Sequence, residues 1–242
     1  MTSPFLGEFC GTATLILLGD GVVAGVLLAK SKANNAGWIV ITAGWAFAVT
    51  CGIFVSKALG GAGSLNPVGQ LADIVVGGGA LQKNLEMIAG QFAGAFVGAV
   101  LVWLQYLPHW GETKDQGAKL GVFCTAPAIR NYPANFLSEF IGTFALVFIA
   151  SSLGKMEASA DDMLRWPMVG LIVWAIGLSL GGTTGYAINP ARDLGPRLAH
   201  ALLPIAGKGG SDWGYAWVPV LGPFAGGAVA ALAFKLLTAT TS

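Results

Sequence analysis

The side chains best placed for chemistry are two asparagines, each set before a proline inside apolar sequence. Asn189 stands in Tyr186-Ala187-Ile188-Asn189-Pro190-Ala191-Arg192-Asp193, and Asn66 in Ser64-Leu65-Asn66-Pro67-Val68. The chemistry they offer is recognition rather than bond-making. Asn is a natural helix N-cap, and Pro fits the first helical position, where its missing N–H leaves no bond unmade. Each motif therefore reads as a helix start. The amide N–H groups remain free to donate to a passing oxygen. Arg192 falls at the third helical position, where the macrodipole already carries partial positive charge. A cation there works against the helix, so it needs another reason, such as a polar or anionic solute or a barrier to cations. One such asparagine is a simple cap; two at equivalent places favour a constriction. Two carboxylates, Glu8 and Glu139, also lie in apolar runs, where an ionisable group is functional by default. Accepting hydrogen bonds from the irregular loops before the helix starts is the favoured role; proton coupling is the alternative.

The elements that must position these groups are membrane helices. The chain has 242 residues, 55% hydrophobic and only 10% charged, with mean hydropathy +0.69. A soluble domain carries roughly 25% charged residues, so lipid covers much of this surface. The net charge of +1 gives no electrostatic case for nucleic acid. Cys10, Cys51 and Cys124 have no metal-type spacing, and Cys10 and Cys51 read as small helix residues. The 36 glycines, many in apolar segments, point to close helix packing. Full spans are predicted at about 5–28, 38–55, 85–106, 136–153, 168–180 and 217–237. The first lacks a basic n-region and is read as a span, not a leader. The pieces after Pro67 and Pro190 are short; about ten residues reach ~15 Å, half of a ~30 Å hydrocarbon core. They enter the membrane without crossing it. A polar linker at about 108–133 and a charged loop holding Lys155, Glu157, Asp161, Asp162 and Arg165 complete the chain.

The two halves repeat. Leu6-Gly7-Glu8-Phe9 is matched by Leu137-Ser138-Glu139-Phe140, and Gly90-Gln91-Phe92-Ala93-Gly94 by Gly222-Pro223-Phe224-Ala225-Gly226, in the same order as the two Asn-Pro starts. The first repeat covers about 1–107 and the second about 134–242, within one channel domain. Three full spans per half make the repeat inverted. The short helices then enter from opposite faces and meet near the midplane, Asn66 against Asn189. Two facing N-termini concentrate positive potential and disfavour cations, including a hydrated proton. Basic residues fall on both sides and give no orientation. Asp20, late in the first span, is either solvated near the interface or part of a vestibule. His109 and His200 read as solvated or packing residues.

With these motifs in hand, the sequence resembles the aquaporin family, and within it the aquaglyceroporins and bacterial glycerol facilitators. The likeness runs over nearly the whole chain. It implies an all-α membrane protein with six transmembrane helices and two re-entrant half-helices in a right-handed bundle. Asn189-Pro190-Ala191-Arg192-Asp193, followed by Gly195-Pro196-Arg197, is its most specific stretch, and in this family the Asp after the Arg accompanies glycerol conduction. The first motif departs, with Val68 where Ala is usual and Ser64 where His is usual. Counting from the motifs, the resemblance implies a selectivity filter of Trp45, Gly177, Tyr186 and Arg192. Two aromatic faces hold the CH backbone of a polyol while Arg192 donates to its hydroxyls. Gly177 is expected to leave open space beside the two rings. Pro67, Val68, Pro190, Ala191 and Asp193 support the central constriction.

The expectation is a passive channel for glycerol, water and other small uncharged solutes. A channel for protonated lactic acid or another small neutral acid is the nearest alternative, and an ion-coupled secondary transporter is a second. An enzyme is not expected, for there is no catalytic Ser/His pair or metal-ligand cluster, and no cofactor is implied. The resemblance further implies a homotetramer in the lipid bilayer of a bacterial plasma membrane, with both termini cytoplasmic.

Overall fold

The computed structural model describes residues 3–155 and 162–239; Glu157 and Asp161 of the charged loop lie outside them. The described residues form ten helices and no strand: α1 (Pro4–Leu27), α2 (Trp38–Ala58), α3 (Pro67–Val75), α4 (Leu81–Gln105), α5 (Leu107–Glu112), α6 (Gln116–Phe123), α7 (Tyr132–Lys155), α8 (Asp162–Leu180), α9 (Pro190–Leu202) and α10 (Val218–Ala239). Five of them, α1, α2, α4, α7 and α10, are long and apolar enough to cross a membrane, and α8 contributes a shorter apolar stretch, Arg165–Leu180. The half-helices α3 and α9 have 9 and 13 residues, giving ~14 Å and ~20 Å at ~1.5 Å per residue.

Glycine sets how closely these helices approach. On α4, a Cβ at Gly90 would lie 2.6 Å from the Phe5 carbonyl oxygen, one at Gly98 would lie 2.6 Å from that of Ala13, and one at Gly94 would overlap that of Phe9. On α10, a Cβ at Gly226 would overlap the Phe140 carbonyl oxygen in the same way. Gly94 and Gly226 are repeat-related, as are Phe9 and Phe140. The pairs α1–α4 and α7–α10 are thus the same backbone-to-backbone packing made twice. Lipid offers no hydrophobic drive between helices, so this close contact is what holds them. Across the halves, α4 packs on α9 and α10 on α3, while α2 packs on α8.

The region read as a polar linker holds two short helices, α5 and α6. Asp115 caps α6 through Oδ1, which accepts from the Gly117 and Ala118 amides at 2.8 and 3.1 Å. Trp110, Val122 and Phe123 are fully buried. Helices of 6 and 8 residues are too short to display a period, which is why they were not legible as helices.

Candidate functional site

Both half-helices are held by the same device. Leu65 and Ile188, just before the two asparagines, have φ of 56° and 41°, a left-handed region costly for branched side chains. A buried carboxylate secures each. Glu8 Oε2 accepts from the Leu65 amide at 2.8 Å, and Oε1 from the Ser64 amide and the Ser56 hydroxyl at 3.2 and 2.9 Å. Glu139 Oε2 accepts from the Ile188 amide at 2.8 Å, and Oε1 from the Ala187 amide and the Thr184 hydroxyl at 3.0 and 2.7 Å. With their oxygens so occupied, the carboxylates serve the loops.

The asparagines do two jobs. Asn66 Oδ1 accepts from the Val68 amide at 3.0 Å, and Asn189 Oδ1 from the Ala191 and Arg192 amides at 3.0 and 3.2 Å. Each amide nitrogen then reaches across the repeat. Asn66 Nδ2 donates to the Ile188 carbonyl and Asn189 Nδ2 to the Leu65 carbonyl, both at 2.8 Å. One N–H of each amide is used in this way, and a second remains. Pro67 and Pro190 occupy the first turn of each half-helix. At the far ends lysines meet the helix carbonyls: Lys235 Nζ donates to Val76 at 2.8 Å, and Lys208 Nζ to Ala201 and Leu203 at 2.8 and 2.7 Å. Cations there complement the dipole.

A cavity of about 740 Å³ runs from Asp73, Val76 and Lys235 past both asparagines to Trp45, Tyr186 and Arg192. A second hollow of about 360 Å³, lined by Trp38, Pro127 and Gly182 among others, lies beyond; Gly185 borders both. Three of the four predicted filter residues, Trp45, Tyr186 and Arg192, line the larger cavity. The Arg192 guanidinium stacks over Trp45, with Cζ 4.1 Å from the ring centroid, a cation–π geometry. Its Nη1 donates to the Phe123 carbonyl at 3.1 Å and lies 3.4 Å from Asp20 Oδ1. Trp45 and Tyr186 are 5% and 7% exposed, which removes a lipid-facing role for either.

Gly177 requires a correction. Its place is not open space. A Cβ there would lie 2.8 Å from Tyr186 Cζ and 3.0 Å from Thr42 Cγ2. The missing side chain lets the Tyr186 ring lie flat against α8, so Gly177 sits behind the filter wall. The Gly177 carbonyl accepts from Trp38 Nε1 at 3.0 Å, and Trp38 meets the Tyr186 ring edge-on at 5.8 Å.

The two departures in the first motif are accommodated. Val68 is fully buried against α10, where a Cβ on Gly227 would overlap its Cγ1. Ser64 Oγ lies 3.1 Å from Gln70 Oε1 and 3.2 Å from the Asn66 carbonyl. Gln91 Nε2 joins Gln70 Oε1 and Glu8 Oε2 at 2.8 and 2.7 Å, so Ser64 is tied through a polar chain to the carboxylate that holds its own loop.

Asp193 does not face the cavity. It pairs with Arg197 one turn on, Nε to Oδ1 at 2.8 Å, and accepts from the Thr125 amide and hydroxyl at 2.8 Å each. Arg197 Nη2 donates to the Thr125 carbonyl at 3.0 Å, and Nη1 to that of Ser211 at 2.8 Å. The linker is therefore part of the site, clamped to α9 through Asp193 and Arg197. Sequence reasoning assigned Arg197 no role; its spacing of four from Asp193 on one helix was the available signal. His200 is fully buried, Nδ1 2.8 Å from Ser211 Oγ, and is a packing residue.

Residues 1–234 match the family profile described as major intrinsic protein. The chain belongs to the major intrinsic protein family. Among its relatives, Glycerol uptake facilitator protein 3 of Lactiplantibacillus plantarum is 57% identical over 96% of this chain and 95% of its own. The probable glycerol uptake facilitator protein of Thermotoga maritima is 53% identical over 97% and 99%. More distant is the D/L-lactic acid transporter of L. plantarum, 39% identical over 96% of each chain. Among solved structures, the aquaglyceroporin from Plasmodium falciparum superposes with a TM-score of 0.82 at 30% identity, covering 95% of this chain and 93% of that one.

Proposed function

We propose that this major intrinsic protein is a passive channel that conducts glycerol and other small uncharged solutes, with some water, across a bacterial membrane. It is not an enzyme. The observation that carries this reading is a cavity lined at once by one guanidinium and two aromatic rings. Trp45 and Tyr186 supply apolar walls for a carbon chain, and Arg192 supplies donors for its hydroxyls. The similarity to glycerol uptake facilitators supports glycerol as the solute. Asn66 and Asn189 orient each passing oxygen with their remaining N–H, which breaks hydrogen-bonded proton hopping. The N-termini of α3 and α9 add a positive barrier to cations.

Glu8 and Glu139 hold the loops, and Pro67, Val68, Pro190, Ala191 and Asp193 shape the half-helix starts. The two repeats, joined by the linker, form one channel domain. The assembly is a homotetramer in the lipid bilayer, one pore per subunit, with both termini in the cytoplasm.

The test is stopped-flow swelling and shrinking of vesicles holding the purified protein, with a panel of neutral solutes. Glycerol flux is expected to be non-saturating at modest concentration and unchanged when proton and sodium gradients are collapsed. Loss of flux on collapsing the gradients would make the protein an ion-coupled transporter. The similarity to a D/L-lactic acid transporter favours one second reading, a channel for protonated lactic acid. Lactic acid flux that rises as pH falls and outpaces glycerol would establish it.

A further inference from the structure

Two neighbours on α1 touch the two sides of the filter. A Cβ on Gly19 would overlap the Trp45 ring, so the indole rests on the helix backbone. The next residue, Asp20, is fully buried with Oδ1 3.4 Å from Arg192 Nη1, and neither carboxylate oxygen has a hydrogen-bond partner. A buried carboxylate without donors is costly, and more so at membrane depth. Packing does not explain it, because a small apolar residue would serve better there.

Charge explains it. Arg192 stands in the first turn of α9, and the N-terminus of α3 faces it from the other half. Arg192 and the N-termini of α9 and α3 are all positive, and a passage of one sign gathers ions of the other. Asp193 does not compensate, being engaged by Arg197 and Thr125. Asp20 stands at the same Nη1 of the guanidinium that donates to the Phe123 carbonyl. We propose that Asp20 is the counter-charge of the filter: it anchors one edge of Arg192 and cancels its charge, so that the constriction selects by width and hydrogen bonding and does not gather anions. This rests on the reading of Trp45, Tyr186 and Arg192 as the filter of a solute channel. Asp20 acts through Arg192 and is a positioning residue.

The experiment compares wild type, Asp20→Asn, Asp20→Glu and the double variant Asp20→Asn/Arg192→Gln in vesicles. Glycerol flux is read by stopped-flow scattering. Chloride and formate flux is read as potential-driven, electrogenic transport at pH 7, where formate is almost entirely ionised. Wild type should pass glycerol and exclude both anions. In Asp20→Asn glycerol flux should fall and anion flux should rise by roughly tenfold or more. Asp20→Glu should keep the anions out, and the double variant should lose the anion gain because Arg192 is its source. A folded Asp20→Asn channel that still excludes both anions overturns the inference. Where Asp20→Asn does not fold, the double variant decides. Removing both charges leaves neither unpaired, so it should fold, and its failure would make Asp20 a packing residue. A wild type that passes no glycerol would sink the channel reading itself; failure confined to the anion arm sinks only the role of Asp20.

Discussion

Gly177→Ala adds one carbon to a place already filled. The new Cβ would lie 2.8 Å from Tyr186 Cζ and 3.0 Å from both Tyr186 Cε2 and Thr42 Cγ2. Ordinary carbon contacts are about 3.5–4.0 Å, so the ring must retreat by roughly 0.7–1.2 Å. The Tyr186 backbone cannot take up the shift. The Ala187 and Ile188 amides are bound to Glu139, and the Gly185 amide donates to the Gly181 carbonyl at 2.9 Å. Trp38 stands against one flank of the ring. The remaining direction is into the cavity, toward Trp45 and Arg192. Overpacking of this kind costs about 1–3 kcal/mol, and each ~1.4 kcal/mol added to a transport barrier is about tenfold in rate. Glycerol flux should fall at least about tenfold, while water, which needs less width, should lose much less. Stopped-flow measurement of both on the same vesicles gives the ratio. Replacing Tyr186 by Leu in the Gly177→Ala background should restore glycerol. A folded Gly177→Ala channel with wild-type glycerol flux would refute the reasoning, for the ring would then have somewhere else to go.

Glu139→Ala strands the Thr184 hydroxyl and the Ala187 and Ile188 amides, at about 1–3 kcal/mol each; detergent-solubilised protein should unfold many degrees earlier or not be recovered, and Glu139→Gln should be intermediate. Asp193→Asn breaks one side of a buried pair, a loss of about 3–5 kcal/mol, which thermal unfolding should register; the double change of Asp193 and Arg197 to uncharged residues should cost less than Asp193→Asn alone. Val68→Ala should destabilise by about 1–3 kcal/mol through the cavity it leaves, and Gly227→Ala, which clashes alone, should restore stability when added to it.

The parts legible in the sequence were those fixed by local rules. Asn before Pro names a helix start wherever it occurs, and the matched Glu8 and Glu139 segments carry the repeat. Span ends fall within about four residues of the observed helices, because membrane thickness sets their length, except that α8 begins at Asp162, well before the predicted start near Met168. The filter was harder. Distance from a motif locates Gly177 but does not say whose side chain fills the space beside it. That depends on the turn at Tyr186, whose φ of 38° follows from Glu139 holding the next two amides. Asp20 and Arg192 come from opposite halves, and no periodicity connects them. The linker's contacts with α9 were not legible because most of them are made by backbone groups, the amide of Thr125 and the carbonyls of Phe123 and Thr125, which leave no trace in residue type.

The crossed asparagine bonds also set an order of assembly. Asn66 and Ile188 are 122 residues apart, and Leu65 and Asn189 are 124 apart. At ~5–20 residues per second of synthesis, the first half waits roughly 6–25 s for its partner atoms to be made. During that interval the Leu65 carbonyl and the Asn66 amide sit at the end of a half-inserted helix with nothing to meet. Only water or a chaperoning surface can satisfy them, since lipid offers no donor or acceptor. The midplane junction thus cannot close until the second half is made, and a ribosome stalled between the halves would leave a nascent chain whose Leu65 carbonyl and Asn66 amide still lack their partners.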